Sequence, residues 1–250
     1  MDRDIIYLEN VIVDFNGFKA LNGVDFIMDR GELRFLIGPN GAGKTTLLDV
    51  ICRKVKPTSG ILYYQGSQKL DRYPIYEVAR LGISRKFQAP SIFPELSVWE
   101  NMELANPRSH GIWSSLTHQI TKTEREALSE SLENMGLFEK KDHLAKHLSH
   151  GEKQWLEIAM TLAQKPKLLM VDEPVAGMTG RERHRTGEIL SAIAGEVSVL
   201  VVEHDMDFVK TFSKTVTVLH EGRVLYEGDF ETVSNHPRVK EVYLGRGGQA

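Results

Sequence analysis

The stretch "LRFLIGPNGAGKTTLL", Leu33 to Leu48, decides the fold. Five strand-type residues, Leu33 to Ile37, run into a glycine-rich turn, and "TTLL" opens a helical pattern. The turn fits G-x-x-x-x-G-K-[ST]. Glycines at 38, 41 and 43 let backbone N–H groups wrap a phosphate chain, Lys44 reaches the outer phosphates, and the Thr45 hydroxyl suits Mg²⁺. The run Gly38, Pro39, Asn40, Gly41, Ala42, Gly43, Lys44, Thr45 and Thr46 is therefore a candidate nucleoside-triphosphate site. The competing reading is a turn that merely connects. A strand immediately before and a helix immediately after weigh against it.

Composition agrees with an enzyme of this size. With 250 residues and 41% hydrophobic content, the chain can bury a substantial core. A net charge of −3 provides no basic face at the level of composition, which argues against nucleic acid as the main partner. "MDRDII" has no apolar leader, and no run approaches the ~18 apolar residues of a membrane span, so the expected location is cytoplasmic. One cysteine, Cys52, excludes an internal disulfide framework. It is expected to be inert within a helix.

The order of elements points to α/β. Residues 5–13, 24–28 and 33–37, with "LYY" near 62, read as strands, giving an N-terminal β segment. "TTLLDVICRKV" reads as a helix stopped by Pro57 and Gly60. From about 85 to 165 the chain turns helical and polar, an expected inserted lobe. Within it "TEREALSESLENMG" predicts a cap at Thr123, a face of Leu128, Leu132 and Met135, and a stop at Gly136. "KLLMVDEP" and "VSVLVVEHD" are nearly continuous apolar runs, as strands covered on both faces are. "VTVLHEGRVLYEG" predicts a hairpin at Glu221-Gly222, followed by a short closing helix.

Several polar residues fall where such a sheet places ligands. Asp172 ends one buried strand and suits Mg²⁺, while Glu173 beside it suits polarisation of an attacking water. His204 ends the next strand and is read as a contact to the terminal phosphate. Gln88, in "RKFQAPSIF", is a candidate for Mg²⁺ or water. In "LSHGEKQWLEIAM" Ser149 and Glu152 form a capping box, with Trp155, Ile158, Ala159 and Leu162 as the expected buried face. The same turn, with Gly151 open to a ligand, suits an anion.

Taken in order, phosphate loop, glutamine, "LSHGE", "VDEP" and histidine, the chain resembles the nucleotide-binding subunit of an ABC transporter along nearly all its length. Within that superfamily it is similar to the branched-chain amino acid and amide uptake group. "LSHGEKQWLEI", "DEPVAGMTG" and "VYLG" look most like the urea-type ATP-binding subunit. The resemblance implies a P-loop NTPase core with a mixed sheet in one ATP-binding domain, with ATP and Mg²⁺ as cofactors. It assigns adenine stacking to Phe15, the metal to Thr45, Gln88 and Asp172, and catalysis to Glu173, His204 and Gln88. It also implies that Ser149, His150, Gly151 and Glu152 act in trans, on nucleotide held by a second ATP-binding subunit in a homo- or heterodimer. Transmembrane permease subunits, and indirectly a solute-binding protein, are the remaining implied partners, which places the chain peripherally on the inner face of the membrane.

The sequence departs from the family pattern at His150 and Glu152, where the usual signature has glycine and glutamine. It departs again at Thr179, where an aspartate is common. The chain ends soon after its last strand, so no appended regulatory domain is expected. A soluble ATPase of the same superfamily outside transport is the alternative. Those chains carry two cassettes or a long coiled-coil insertion, and no sustained heptads occur between Gln88 and Ser149.

Overall fold

The computed structural model describes residues 3–86, 92–106 and 120–244. Two compact units emerge, one made of Met1–Arg85, Lys167–Pro174 and Leu190–Ala250, the other of Lys86–Pro166 and Val175–Ile189.

The first unit holds two sheets. β1 (Asp4–Phe15) and β2 (Phe18–Asp29) form a long antiparallel hairpin, joined on the other side of β1 by β4 (Ser59–Tyr64) and then β5 (Gln68–Lys69). The hairpin extends well past the expected 5–13 and 24–28. Its tip is Asn16-Gly17, with φ of 53° and 95°, the primed-turn geometry that an Asn-Gly pair favours and whose twist matches the flanking strands.

The second sheet runs β10 (Arg223–Gly228), β9 (Thr215–His220), β3 (Leu33–Ile37), β8 (Ser198–Val202), β7 (Leu168–Asp172), β6 (Ile83–Lys86). β9, β3, β8 and β7 are parallel, and β10 is antiparallel to β9. Every residue of β3, β7 and β8 is buried, as the apolar runs require. The result is the expected α/β class with a mixed sheet. The hairpin between β9 and β10 turns at Glu221-Gly222 as predicted. Two short helices, α8 (Phe230–Asn235) and α9 (Pro237–Leu244), follow in place of the single one expected.

α1 (Lys44–Ile51) stops earlier than the pattern suggested. Arg53 takes a left-handed conformation, φ 61°, and the N–H groups of Lys54 and Val55 both return to the Asp49 carbonyl, which closes the helix before its apolar pattern ends. Cys52 is thus the C-cap rather than a helix interior residue. Burial pushes its thiol up to about 11, so it stays protonated and unreactive at neutral pH.

The first unit also holds α2 (Ile75–Arg80), and in the second unit lie α3 (Val98–Ala105), α4 (Lys122–Met135), α5 (His150–Ala163) and the start of α6 (Gly180–Ile193). α4 buries Leu128, Leu132 and Met135 as predicted, but its cap is Thr121, not Thr123. Thr121 has Glu124 three residues on and closes a reciprocal capping box with it, so the helix begins two residues earlier. α5 buries Leu156, Glu157, Ile158 and Ala159, while Trp155 and Leu162 are only half-buried, so its covered face is rotated from the expected stripe. Trp155 spends its indole N–H on Thr186 of α6, 2.9 Å away.

Gly136 closes α4 with φ 71°, and a Cβ there would meet nothing within 4 Å. Substitution by alanine therefore adds left-handed strain and no clash. We expect Gly136→Ala to cost about 1 kcal/mol, roughly 2–4 °C in melting temperature by calorimetry.

Candidate functional site

Within the first unit, the phosphate loop is set by backbone packing. Gly38 has φ 153°, and a Cβ on it would stand 2.2 Å from the Leu219 carbonyl of β9, so only glycine lets the loop leave β3 along this path. The Ala42 carbonyl accepts from Gly222 N–H at 2.9 Å, buttressing the loop on the β9–β10 turn. Gly43 is the N-cap of α1, with φ 103°. Lys44 Nζ donates to the carbonyls of Gly38 and Pro39 at 2.6 and 3.1 Å, so its ammonium is held across the loop it serves. Desolvation lowers the Lys44 pKa, and the nearby carboxylates of Asp172 and Glu173 oppose that shift. One cation thus faces two anions at the carboxyl ends of β3 and β7. Thr45 is exposed on the first turn of α1 and Thr46 half-buried.

Asp172 ends β7 with its side chain 6% exposed, and Arg85 Nη2 donates to its Oδ2 at 3.1 Å. Glu173 follows in the left-handed region, φ 50°, its N–H donating to the Val202 carbonyl at 2.8 Å. A non-glycine residue held there is strained, and the strain turns its side chain away from the strand course. Glu173 Oε1 lies 3.2 Å from His204 Nε2. The "EHD" triplet divides its labour. Glu203 is buried and accepts from the N–H groups of His204 and Asp205 at 2.9 and 3.3 Å, which fixes the loop, while Asp205 caps α7 (Met206–Phe212).

The chemistry of this donor set fits Mg²⁺. Hard hydroxyl and carboxylate oxygens are offered by Thr45 and Asp172. Mg²⁺ keeps several waters and takes one or two carboxylates beside the substrate phosphates, so a sparse protein shell is what it requires.

Phe15 ends β1 and is 49% exposed; Phe18 pairs with it across the turn and is 65% exposed. A Cβ at Gly43 would stand 2.5 Å from the Ala20 carbonyl, so this end of the hairpin lies against the phosphate loop. Gln88 lies outside the described residues.

In the second unit, Ser149 and Glu152 form the expected capping box on α5. Four further contacts surround this turn. Lys140 Nζ donates to Glu152 Oε1. The Ser149 hydroxyl donates to Glu182 Oε1 at 2.9 Å, and a Cβ at Gly151 would lie 2.7 Å from that oxygen. Glu182 Oε2 accepts from the N–H and hydroxyl of Thr179 at 3.0 and 2.8 Å. His150 Nε2 stands 3.2 Å from the Ala176 carbonyl. Of these residues only Glu182 carried a local signal, since Thr179-x-x-Glu182 is itself a capping-box pattern.

Comparison with known proteins agrees with this arrangement. The ABC transporter family model matches residues 21–176. The high-affinity branched-chain amino acid transport ATP-binding protein LivG of Escherichia coli K12 is 33% identical over 254 residues, covering 98% of this chain and 99% of that protein. A crystallised ATP-binding cassette of an ABC transporter in its ADP conformation superposes with a TM-score of 0.83 at 30% identity, covering 97% of this chain and 99% of the other. A dimeric cassette in a post-hydrolysis state bound to ADP and Pi gives a TM-score of 0.72 at 26% identity, covering 90% and 98%. With a phosphate loop, an acidic strand end and a histidine gathered on one sheet, and with this family matched over most of its core, the chain belongs to the ABC transporter family as an ATP-hydrolysing cassette.

Proposed function

We propose that this cassette powers an importer of small amino-acid-type solutes, branched-chain amino acids first, and that it works as half of an ATP-closed dimer on permease subunits at the inner face of the membrane. The observation that carries the reading is full-length similarity to a branched-chain amino acid transport ATP-binding protein, combined with a Glu173–His204 pair at the end of the nucleotide-facing strands. Urea or a short amide is the second reading, favoured by "LSHGEKQWLEI" and "DEPVAGMTG".

In this mechanism the N–H groups of residues 38–46 and Lys44 hold the ATP phosphates, and Phe15 stacks on the adenine. Thr45, Asp172 and Gln88 would hold Mg²⁺, which would supply charge neutralisation on the outer phosphates. Glu173 accepts the proton of the attacking water, and His204 holds that carboxylate and the terminal phosphate in register. Ser149, His150, Gly151 and Glu152 of a second subunit close over the same phosphate. Positioning and charge stabilisation supply the catalysis.

Purifying the intact membrane complex and measuring ATP-driven uptake of labelled isoleucine and labelled urea into liposomes separates the two solutes. Uptake of neither, with ATP turnover uncoupled from any permease, would favour a soluble ATPase instead.

The permease contact yields a further expectation. Asn101 is fully buried in α3, exchanges hydrogen bonds with the backbone N–H and C=O of Phe93 at 2.8 and 3.1 Å, and donates to the Ser97 carbonyl at 2.8 Å. The segment's backbone is therefore pinned while the Phe93 ring is 52% exposed. Val98 is core, and Ile92 and Leu96 are half-buried, so the apolar run divides between packing and display. Phe93→Asp is expected to abolish co-purification with the permease while leaving the isolated subunit's melting temperature within about 2 °C of the parent, as surface changes do. Unfolding of the isolated subunit would assign Phe93 to the core.

A further inference from the structure

Arg85 lies on β6, and its side chain is 6% exposed. Its guanidinium forks. Nη1 donates to Asp49 Oδ1 at 2.6 Å and Nη2 to Asp172 Oδ2 at 3.1 Å. The three residues come from three elements: β6 at the sheet edge, α1, and the end of β7. Asp49 is one helical turn beyond Thr45 on the helix that also carries Lys44, so the fork joins that helix to the strand end bearing Asp172 and Glu173.

Stability alone is a poor reason for such a triad. Desolvating a guanidinium and two carboxylates costs several kcal/mol per ion, and apolar residues of the same volume fill such places at least as well. What the fork supplies is geometry. A planar guanidinium fixes both the distance and the plane of a carboxylate, which a point charge does not. Among the described residues, Arg85 is the one hydrogen-bond donor to the Asp172 carboxylate. Without it that carboxylate keeps its place in the chain but loses its orientation. A hydrolytic site is sensitive to that loss, because a displacement of about 1 Å in a positioning group costs on the order of 10²-fold in rate.

We propose that Arg85 is a positioning residue for ATP hydrolysis, whose fork fixes the Asp172 carboxylate for the metal and locks it in register with the helix that carries Lys44 and Thr45. This rests on the reading of Asp172 as the metal carboxylate. Two consequences separate it from a structural ion pair. Loss of the fork lowers kcat and raises KM for Mg²⁺-ATP by no more than the lost metal contribution to affinity, because Lys44 and the loop N–H groups that bind phosphate are untouched. It also lowers the gain in nucleotide affinity that Mg²⁺ confers, while affinity for metal-free ATP stays.

The test uses the full chain and a fluorescent ATP analogue, titrated in EDTA and in Mg²⁺, beside steady-state kinetics and thermal unfolding. Arg85→Met is expected to bind the analogue in EDTA within twofold of the parent. Its Mg²⁺-dependent gain should fall at least fivefold and its kcat at least tenfold. Arg85→Lys reaches one carboxylate at a time and should fall between the two. Asp49→Asn keeps the Asp172 contact and should retain most of the gain. A folded Arg85→Met with the parental gain and kcat overturns the proposal, as does an equal loss of affinity in EDTA and Mg²⁺, which marks a collapsed loop. If Arg85→Met does not fold, parental values for Arg85→Lys overturn it. Failure of the metal reading itself shows separately, as Asp172→Asn leaving the parental Mg²⁺ gain intact.

Discussion

Replacing Glu173 by glutamine is expected to leave ATP binding intact and to lower turnover by at least ~10²-fold, the scale of a lost general base. The backbone at this position is already strained, φ 50°, and is held by Glu173 N–H on Val202. Glutamine carries the same Cβ and Cγ, so it inherits that strain without adding to it. Its amide still reaches His204 across the 3.2 Å now spanned by Oε1. What disappears is the proton acceptor. Bound ATP then persists, and the variant should run as an ATP-dependent dimer on size exclusion while hydrolysing at a small fraction of the parental rate. Single-turnover rates separate this from slow product release. A variant with near-parental turnover would move the base to another residue.

The parts of this site that the sequence disclosed are those written in short-range code. The phosphate loop is nine consecutive residues, Gly38 to Thr46, between a strand and a helix, and "VDEP" and "EHD" each end an apolar run. The capping box Ser149–Glu152 lies within one helical turn. Such patterns reflect periodicities of 2 and 3.6 residues and are legible without the fold. The β1–β2 hairpin reads short because "FKALNG", the first half of β2, breaks the strict alternation, its buried residues Ala20 and Leu21 being adjacent. Arg85 could not be read at all: its partners lie 36 and 87 residues away, and a lone arginine on a short edge strand predicts nothing. Lys140 is alike in this, set 12 residues from the carboxylate it holds, and Glu182 shows in the sequence only as a capping partner of Thr179, not as the partner of Ser149 33 residues away. Side chains that orient a site rather than form it are recruited from wherever the fold brings them.

Those two residues change the expectation for the signature turn. A carboxylate at Glu152 about 6 Å from a partner's triphosphate would repel it by roughly 3 kcal/mol at an effective dielectric of ~20, before screening. The structure, however, gives Glu152 to Lys140. Partial burial alone would raise the Glu152 pKa, but the hydrogen bonds from Lys140 and the Ser149 N–H outweigh it, and the carboxylate stays ionised with its charge compensated locally. A second anion at the turn, Glu182, is held by neutral donors. Its pKa is held down by the Thr179 N–H, then by the hydroxyls of Thr179 and Ser149, all of them hydrogen bonds to the charged form. Its Oε1 takes the Ser149 hydroxyl that the proposed closure assigns to the partner's phosphate. Closure must therefore move this carboxylate or pull Ser149 from it. Glu182 is part-exposed, so about half of the ~3 kcal/mol is lost to solvent screening, and the remainder corresponds to roughly tenfold in affinity. Glutamine at 182 keeps an amide oxygen for Thr179 and preserves the cap of α6, since Gln serves a capping box as Glu does. In a Glu173→Gln background, where hydrolysis does not intrude, Glu182→Gln is expected to lower the ATP concentration for half-maximal dimerisation about tenfold, with the difference shrinking as salt rises. Glu152→Gln, whose charge is already matched by Lys140, is expected to shift it by no more than ~3-fold. If Glu182→Gln instead raises the required ATP, the carboxylate holds the Ser149 hydroxyl in place for phosphate, and the two anions succeed one another on a donor that never has to be freed.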